Sequence, residues 1–150
     1  MKSLNLTGRY IYIEMKSPSI GTPFSIHLDF GLAERAHNVR ISLSNLYKSF
    51  TAQNGFVIQI PLDYLHSDRW TVLCLDVQEI LKKSSLFPSQ YKIEGSHSLK
   101  SAMLCANMHV RGVYTSDNVY EYFNLPSDMR FKFSFDINRW EEFFDWFNLP

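Results

Sequence analysis

Apolar and polar residues alternate along much of this chain with a period of two, the signature of strands with one buried face. The clearest case is 24–30: Phe24, Ile26, Leu28 and Phe30 point one way, and Ser25, His27 and Asp29 the other. Val39–Leu43 alternates likewise, with Arg40 and Ser42 on the opposite face. Arg9–Met15 is dense in β-branched and aromatic residues and predicts another strand. Asn54-Gly55 is a hairpin signal, Phe56–Ile60 is the strand leaving it, and Pro61 ends that strand or holds it to an edge. Arg69–Asp76 is a longer apolar run, as expected of a strand buried on both faces.

Helical spacing appears twice. Val77, Ile80 and Leu81 fit a short amphipathic helix whose exposed end is framed by Lys82, Lys83, Ser84 and Ser85. Near the end of the chain, Asp136–Asn138 can cap a helix over Arg139–Asn148 carrying Trp140, Phe143, Phe144, Trp146 and Phe147. That is more apolar surface than one helix face accommodates, so this helix either docks in a groove or meets another molecule. Between these lie a long excursion over 86–98 and a predicted hairpin. The hairpin pairs Leu99–Ala106 with His109–Thr115 through a tight Asn107-Met108 turn, and Ser116-Asp117-Asn118 closes it. Phe131, Phe133 and Phe135 alternate as one more strand. About eight short strands without helices between them predict an all-β fold, an antiparallel β-sandwich of jelly-roll type with one or two short peripheral helices. The expected division is a sandwich over 1–136 and an aromatic helix over 137–150.

Composition adds an uneven charge. Fifteen basic and fifteen acidic residues cancel, so no global charge draws the chain to nucleic acid or membrane. Residues 1–112 nevertheless hold twelve Lys/Arg against eight Asp/Glu, and 113–150 hold three against seven. A mildly basic body with an acidic end suits an acidic partner surface, and an uneven but solvated surface accounts for the same charges. Cys74 and Cys105 fall in apolar strand patterns without metal spacing, which predicts buried free thiols in a reducing compartment. Residues 1–20 lack the apolar core of a signal peptide.

Catalytic grammar is missing. His27, His37, His66, His97 and His109 are scattered, with no i, i+4 pair on a helix and no cysteine at ligand spacing. Ser116-Asp117 has neither a nucleophile elbow nor an oxyanion glycine, and a turn-closing Asp explains it. No glycine-rich phosphate loop occurs. The expectation is a non-enzymatic protein without cofactor or metal. Eight tyrosines leave sugar stacking open, since Tyr10 and Tyr12 share a strand face. A jelly-roll module binding a glycan or another protein is therefore the alternative reading.

Blocks spread along the chain carry a resemblance. They are Leu6-Thr7-Gly8-Arg9-Tyr10, then Phe24-x-Ile26-His27-Leu28-Asp29, then Val39-Arg40-Ile41-Ser42-Leu43-Ser44-Asn45-Leu46-Tyr47-Lys48. Arg69-Trp70-Thr71 with Leu75-Asp76 follows, and last Leu104-Cys105-Ala106 with Val110-Arg111-Gly112-Val113-Tyr114-Thr115-Ser116-Asp117. In order and spacing they resemble the domain of the ciliary inner-junction protein family. The Thr-Gly-Arg-Tyr and Ser-Asn-Leu-Tyr-Lys blocks look most like its centriolar WD-repeat branch.

The resemblance implies a structural, microtubule-associated module at the junction between tubules of doublets or triplets, in centrioles, basal bodies or cilia. Tubulin is the implied partner, with other inner-junction or centriolar proteins beside it. Arg40, Lys48 and Arg111 fall on family blocks as microtubule-binding candidates. Lys82 and Lys83 join them by sign and expected exposure, as do Lys92 and Lys100. Trp70, Tyr114 and Asp117 also match, as a core aromatic, a sheet aromatic and a turn acid. The family's opening segment, ahead of Leu6, and the WD repeats downstream are not in this sequence, so an open sheet edge or an exposed core is expected.

Overall fold

Alternation in the second strand is realised residue by residue. Phe24, Ile26, Leu28 and Phe30 are all buried, while Ser25, His27 and Asp29 remain partly exposed on the other face. A computed structural model describes residues 2–33, 36–53, 55–63, 65–66, 68–84, 97–132 and 137–149. Its strands are β1 (Tyr10–Lys16), β2 (Ser25–Leu32), β3 (Val39–Ser44), β4 (Thr51–Gln53) and β5 (Val57–Pro61). They continue as β6 (Trp70–Asp76), β7 (His97–Cys105), β8 (His109–Ser116) and β9 (Phe144–Leu149), with helix α1 (Val77–Lys83) between β6 and β7.

Among the described residues these strands form two sheets, ordered β4-β5-β3-β2-β7 and β8-β1-β6-β9. Their inner faces share one core. Ile11, Ile13, Met15, Leu73 and Leu75 of the four-stranded sheet meet Ile26, Leu28, Phe30, Ile41, Leu43 and Ile58 of the five-stranded one. This is the expected all-β sandwich. The sheets are mixed rather than purely antiparallel, because β3 pairs with β5 and β6 with β9 in parallel. Helix α1 buries Val77, Ile80 and Leu81 in the same core, and Asp76 caps it by accepting from the Glu79 N–H at 3.2 Å. Gly55, at φ +72°, turns the chain between β4 and β5 as its hairpin role requires; its neighbour Asn54 lies outside the described residues.

Two expectations fail here. The predicted hairpin is not one: β7 pairs with β2 and β8 with β1, so Ala106–Met108 carries the chain from one sheet to the other. Period-two patterning reports which face a strand buries, not which strand it pairs with. The second failure is the aromatic helix. Residues Ile137–Glu142 make a short 3₁₀ segment, and Phe144–Leu149 is strand β9. Its register explains the excess of apolar surface. Phe144 and Trp146 lie opposite Trp70 and Val72 on the outer face, while Phe147 and Leu149 lie opposite Leu73 and Leu75 on the core face. Aromatic residues on both faces of a doubly covered strand mimic an all-round apolar helix.

The outer face of the four-stranded sheet is covered as well. Tyr12, Val72, Cys74, Leu125, Met129 and Phe144 form a second buried cluster, with Trp70, Tyr122, Phe131 and Trp140 packed around it. Residues 119–131 supply the cover. Cys74 is accordingly buried and burial pushes its thiol up to about 11, but Cys105 is exposed, against expectation; both are free. Phe131 and Lys132 are not in a strand; the rest of the strand expected over Phe131–Phe135, its Asp136 cap, most of the 86–98 excursion, Lys92, Tyr64 and Tyr91 lie outside the described residues.

Candidate functional site

Two of the blocks that carry the family resemblance, on β2 and β3, meet on the outer face of the five-stranded sheet. Strand alternation sends His27 and Asp29 of β2 and Arg40 and Ser42 of β3 to that face as cross-strand neighbours, His27 opposite Ser42 and Asp29 opposite Arg40. Arg40 grips Asp29 with two hydrogen bonds, Nε to Oδ1 at 2.7 Å and Nη2 to Oδ2 at 3.0 Å. Ser101 of β7 donates to the same carboxylate at 2.9 Å. The hydrogen bonds from Arg40 hold the Asp29 carboxyl below the usual carboxylate range.

Beside this pair runs a chain of neutral groups. The Ser42 hydroxyl lies 2.8 Å from both His27 Nδ1 and the Tyr47 hydroxyl, and Ser25 lies 3.2 Å from His27 Nε2. Burial lowers the His27 pKa, which favours the uncharged ring. Further across the sheet Gln59 accepts from Thr51 at 3.1 Å. The face is thus polar and internally satisfied. Tyr47 folds its hydroxyl back onto it, and the next residue, Lys48, stands exposed at its rim.

The five candidate cations are not one patch. Arg40 is on this face but neutralised by Asp29. Lys48 and Lys83 are exposed and carry no ion pair among the described residues. Lys82 pairs with Glu79 one helical turn away at 3.0 Å. Lys82 and Lys83 lie on α1, which closes one end of the sandwich; Lys48 follows β3 at the other end of the sheet. Arg111 is on the opposite sheet altogether. It occupies a bulge between Val110, opposite Met15, and Gly112, opposite Glu14, and its guanidinium pairs with Glu14, which is fully buried. That contact and two backbone carbonyls tie the partly exposed Arg111 side chain to its own fold. Charge sign alone does not separate an arginine that holds the fold from one that meets a partner.

Among the fold-making residues, Asp117 accepts from the Arg9 N–H at 3.2 Å, and Trp70 and Tyr114 pack on the second cluster. Gly112 leaves room for the Tyr114 ring, which a Cβ there would approach to 2.5 Å. The tyrosine pair does not make an open platform. Tyr12 is fully buried, with Tyr120 and Trp146 rings 5.6 and 6.3 Å away. Among the described residues no cluster of three or more His, Cys, Asp or Glu is placed to hold a metal, and no helix is long and apolar enough to cross a membrane.

Residues 1–133 match the CFA20 domain model. The chain belongs to the CFA20 domain family. This is the family its sequence blocks resemble, and the match covers every strand except β9. The chain is 39% identical over 145 residues to WD repeat-containing protein 90 of Xenopus tropicalis, covering 79% of this chain and 7% of that protein. It is 32% identical over 145 residues to Centriole proteome protein 16 of Chlamydomonas reinhardtii, covering 94% of this chain and 6% of that protein. The mouse WD repeat-containing protein 90 is 35% identical over 133 residues, covering 80% of this chain and 7% of that protein. The chain therefore corresponds to a small part of these much longer relatives.

Proposed function

We propose that this CFA20 domain is a non-enzymatic structural module of centrioles, basal bodies or cilia. In this reading it binds microtubules and stabilises the junction between neighbouring tubules, alongside other inner-junction or centriolar proteins. The observation that carries the centriolar role is its similarity, over 94% of its length, to a protein named for the centriole proteome. The tubulin contact is supported by the basic balance of residues 1–112 and by Lys48 and Lys83, candidate cations that are exposed and carry no ion pair among the described residues. Lys48 and Lys83 are the residues best placed to meet an acidic surface. Arg40 supports the face by holding Asp29, and Arg111 serves the fold. An interface made by exposed lysines is screened by salt. Co-sedimentation of the folded chain with stabilised microtubules, at low and moderate ionic strength, tests the reading.

A further inference from the structure

Residues 119–131 cover the outer face of the four-stranded sheet without pairing with it. Their backbone–backbone hydrogen bonds are internal turns, Asn124 N–H to the Glu121 carbonyl at 3.1 Å and Met129 N–H to the Pro126 carbonyl at 3.0 Å. Among the described residues no such bond joins the segment to a strand. Side chains of β1 and β8 hold it instead. At one end the Tyr12 hydroxyl accepts from the Tyr120 N–H at 2.6 Å. At the other, Arg111 and the Tyr114 hydroxyl donate to the Asp128 carbonyl at 3.1 and 3.2 Å, and Arg111 also reaches the Arg130 carbonyl. Between these ends Leu125 and Met129 are buried against Tyr12, Val72, Cys74 and Phe144. A segment without ladder hydrogen bonds can open at a lower cost than the whole fold.

Beneath the segment lies a fully buried carboxylate. Glu14 gives one oxygen to Arg111, and the other, Oε1, has no hydrogen-bond partner. Val72 of β6 and Gly112 of β8 lie opposite it, and neither carries charge. Tyr12 and Lys16 are its same-face neighbours on β1, and the Tyr114 hydroxyl faces it from β8. The covering segment adds the Asp128 carboxylate, which repels the ionised form. Arg111 thus holds the buried charge and the cover together. An ionised carboxylate with an unpartnered oxygen is costly away from water. Burial here outweighs Arg111, so the Glu14 carboxyl is held above its usual range.

We propose that residues 119–131 form a strap that opens as a unit while the sandwich stays folded, and that ionisation of Glu14 favours the open state. In the closed state Oε1 of the ionised carboxylate has neither a partner nor water; once the strap lifts, water solvates both oxygens. The closed-state pKa therefore lies above the open-state one. The strap is held most firmly below the usual carboxylate range and opens more often as pH rises through the raised value. Opening uncovers the face made by Tyr12, Val72 and Cys74, so the buried free thiol of Cys74 reports it. Lys48 and Lys83 lie on other elements, which makes the device independent of the microtubule contact.

Native-state hydrogen exchange of the whole chain, with the exposed thiol removed by Cys105→Ser, tests this from about pH 4 to about pH 8. After correction for intrinsic exchange, the Tyr120 and Met129 amides should be less protected than the core amides of Ile13 and Leu73. Their protection should fall as pH rises, and Glu14→Gln should flatten that fall. Tyr12→Phe removes the acceptor of the Tyr120 N–H and keeps the ring. It should lower protection of Met129 on the order of tenfold and leave the pH dependence in place. Alkylation of Cys74, relative to the unfolded chain at the same pH, should follow the Met129 amide through these variants. Strap amides as protected as the core amides would overturn the proposal, as would the same pH dependence in wild type and Glu14→Gln. Cys74 reacting only at the rate of global unfolding would overturn it too.

Discussion

The guanidinium of Arg111 pairs with the fully buried Glu14 and donates to the Asp128 and Arg130 carbonyls, at 3.1 and 2.6 Å for the latter two. One side chain thus neutralises a carboxylate inside the sheet and ties down the segment covering that sheet. Tyr114 reinforces the tie by donating to the Asp128 carbonyl at 3.2 Å, and Arg130 donates to the Leu125 carbonyl at 2.7 Å. At the other end of the same segment the Tyr120 N–H donates to the Tyr12 hydroxyl at 2.6 Å.

Removing Arg111 alone should therefore be costly. Arg111→Ala leaves Glu14 buried without its counter-ion and should destabilise the fold by about 3 kcal/mol. Replacing both partners, Glu14→Leu with Arg111→Met, should recover most of that loss, since a buried ion pair gains little over apolar packing. Urea unfolding of the wild type, the single variant and the pair measures both. A double variant no more stable than Arg111→Ala would show that the carbonyl contacts, rather than the ion pair, dominate.

Opposite pH signatures are expected from two carboxylates. Burial raises the Glu14 pKa despite Arg111, so its stabilising contribution is present below the usual carboxylate range and lost as pH rises through its raised value. Arg40 lowers the Asp29 pKa, so that contribution is present above about 4 and lost as pH falls through its lowered value. Relative to Glu14→Gln, the wild type should gain stability as pH falls through the raised Glu14 pKa toward about pH 4. Relative to Asp29→Asn, it should lose stability below about pH 4. Denaturant titrations across that range read each sign separately.

Strand β9 makes a third expectation concrete. Phe144 is buried between the Phe131 and Trp140 rings, with centroids 5.1 and 5.2 Å away. Phe144→Ala should cost about 3 kcal/mol, as a large aromatic removed from a packed cluster does. Asn148 lies opposite Cys74 on the same face and is exposed, so Asn148→Ala should cost under about 0.5 kcal/mol. A surface helix would instead make the two substitutions similar. Thermal unfolding of both variants distinguishes them.

How much of this was legible depended on the kind of information each element needed. Phe24–Phe30 was readable because one face is buried and the other wet, which a period of two records directly. Phe144–Leu149 was not, because a strand covered on both faces has no such period. Pairing was hidden for another reason: nothing local in 99–116 states that the short link at Ala106–Met108 crosses between sheets. At the candidate site, sequence identified Arg40, Lys48 and Arg111 but could not see Asp29 or Glu14 across the strands. Glu14 was the residue missed most completely. It sits in β1 as an ordinary polar position, and only the bulge at Arg111 reveals that the pair is internal.

Lys48 and Lys83 separate the microtubule reading from a purely structural one. The double variant Lys48→Glu, Lys83→Glu removes two exposed candidate cations that carry no ion pair among the described residues, without touching the Asp29–Arg40 or Glu14–Arg111 pairs. Co-pelleting with stabilised microtubules should be salt-sensitive for the wild type, and the double variant should bind on the order of tenfold more weakly with its unfolding midpoint unchanged. A folded wild-type chain that stays in the supernatant at low salt, or a double variant that pellets as well as the wild type, would contradict the account.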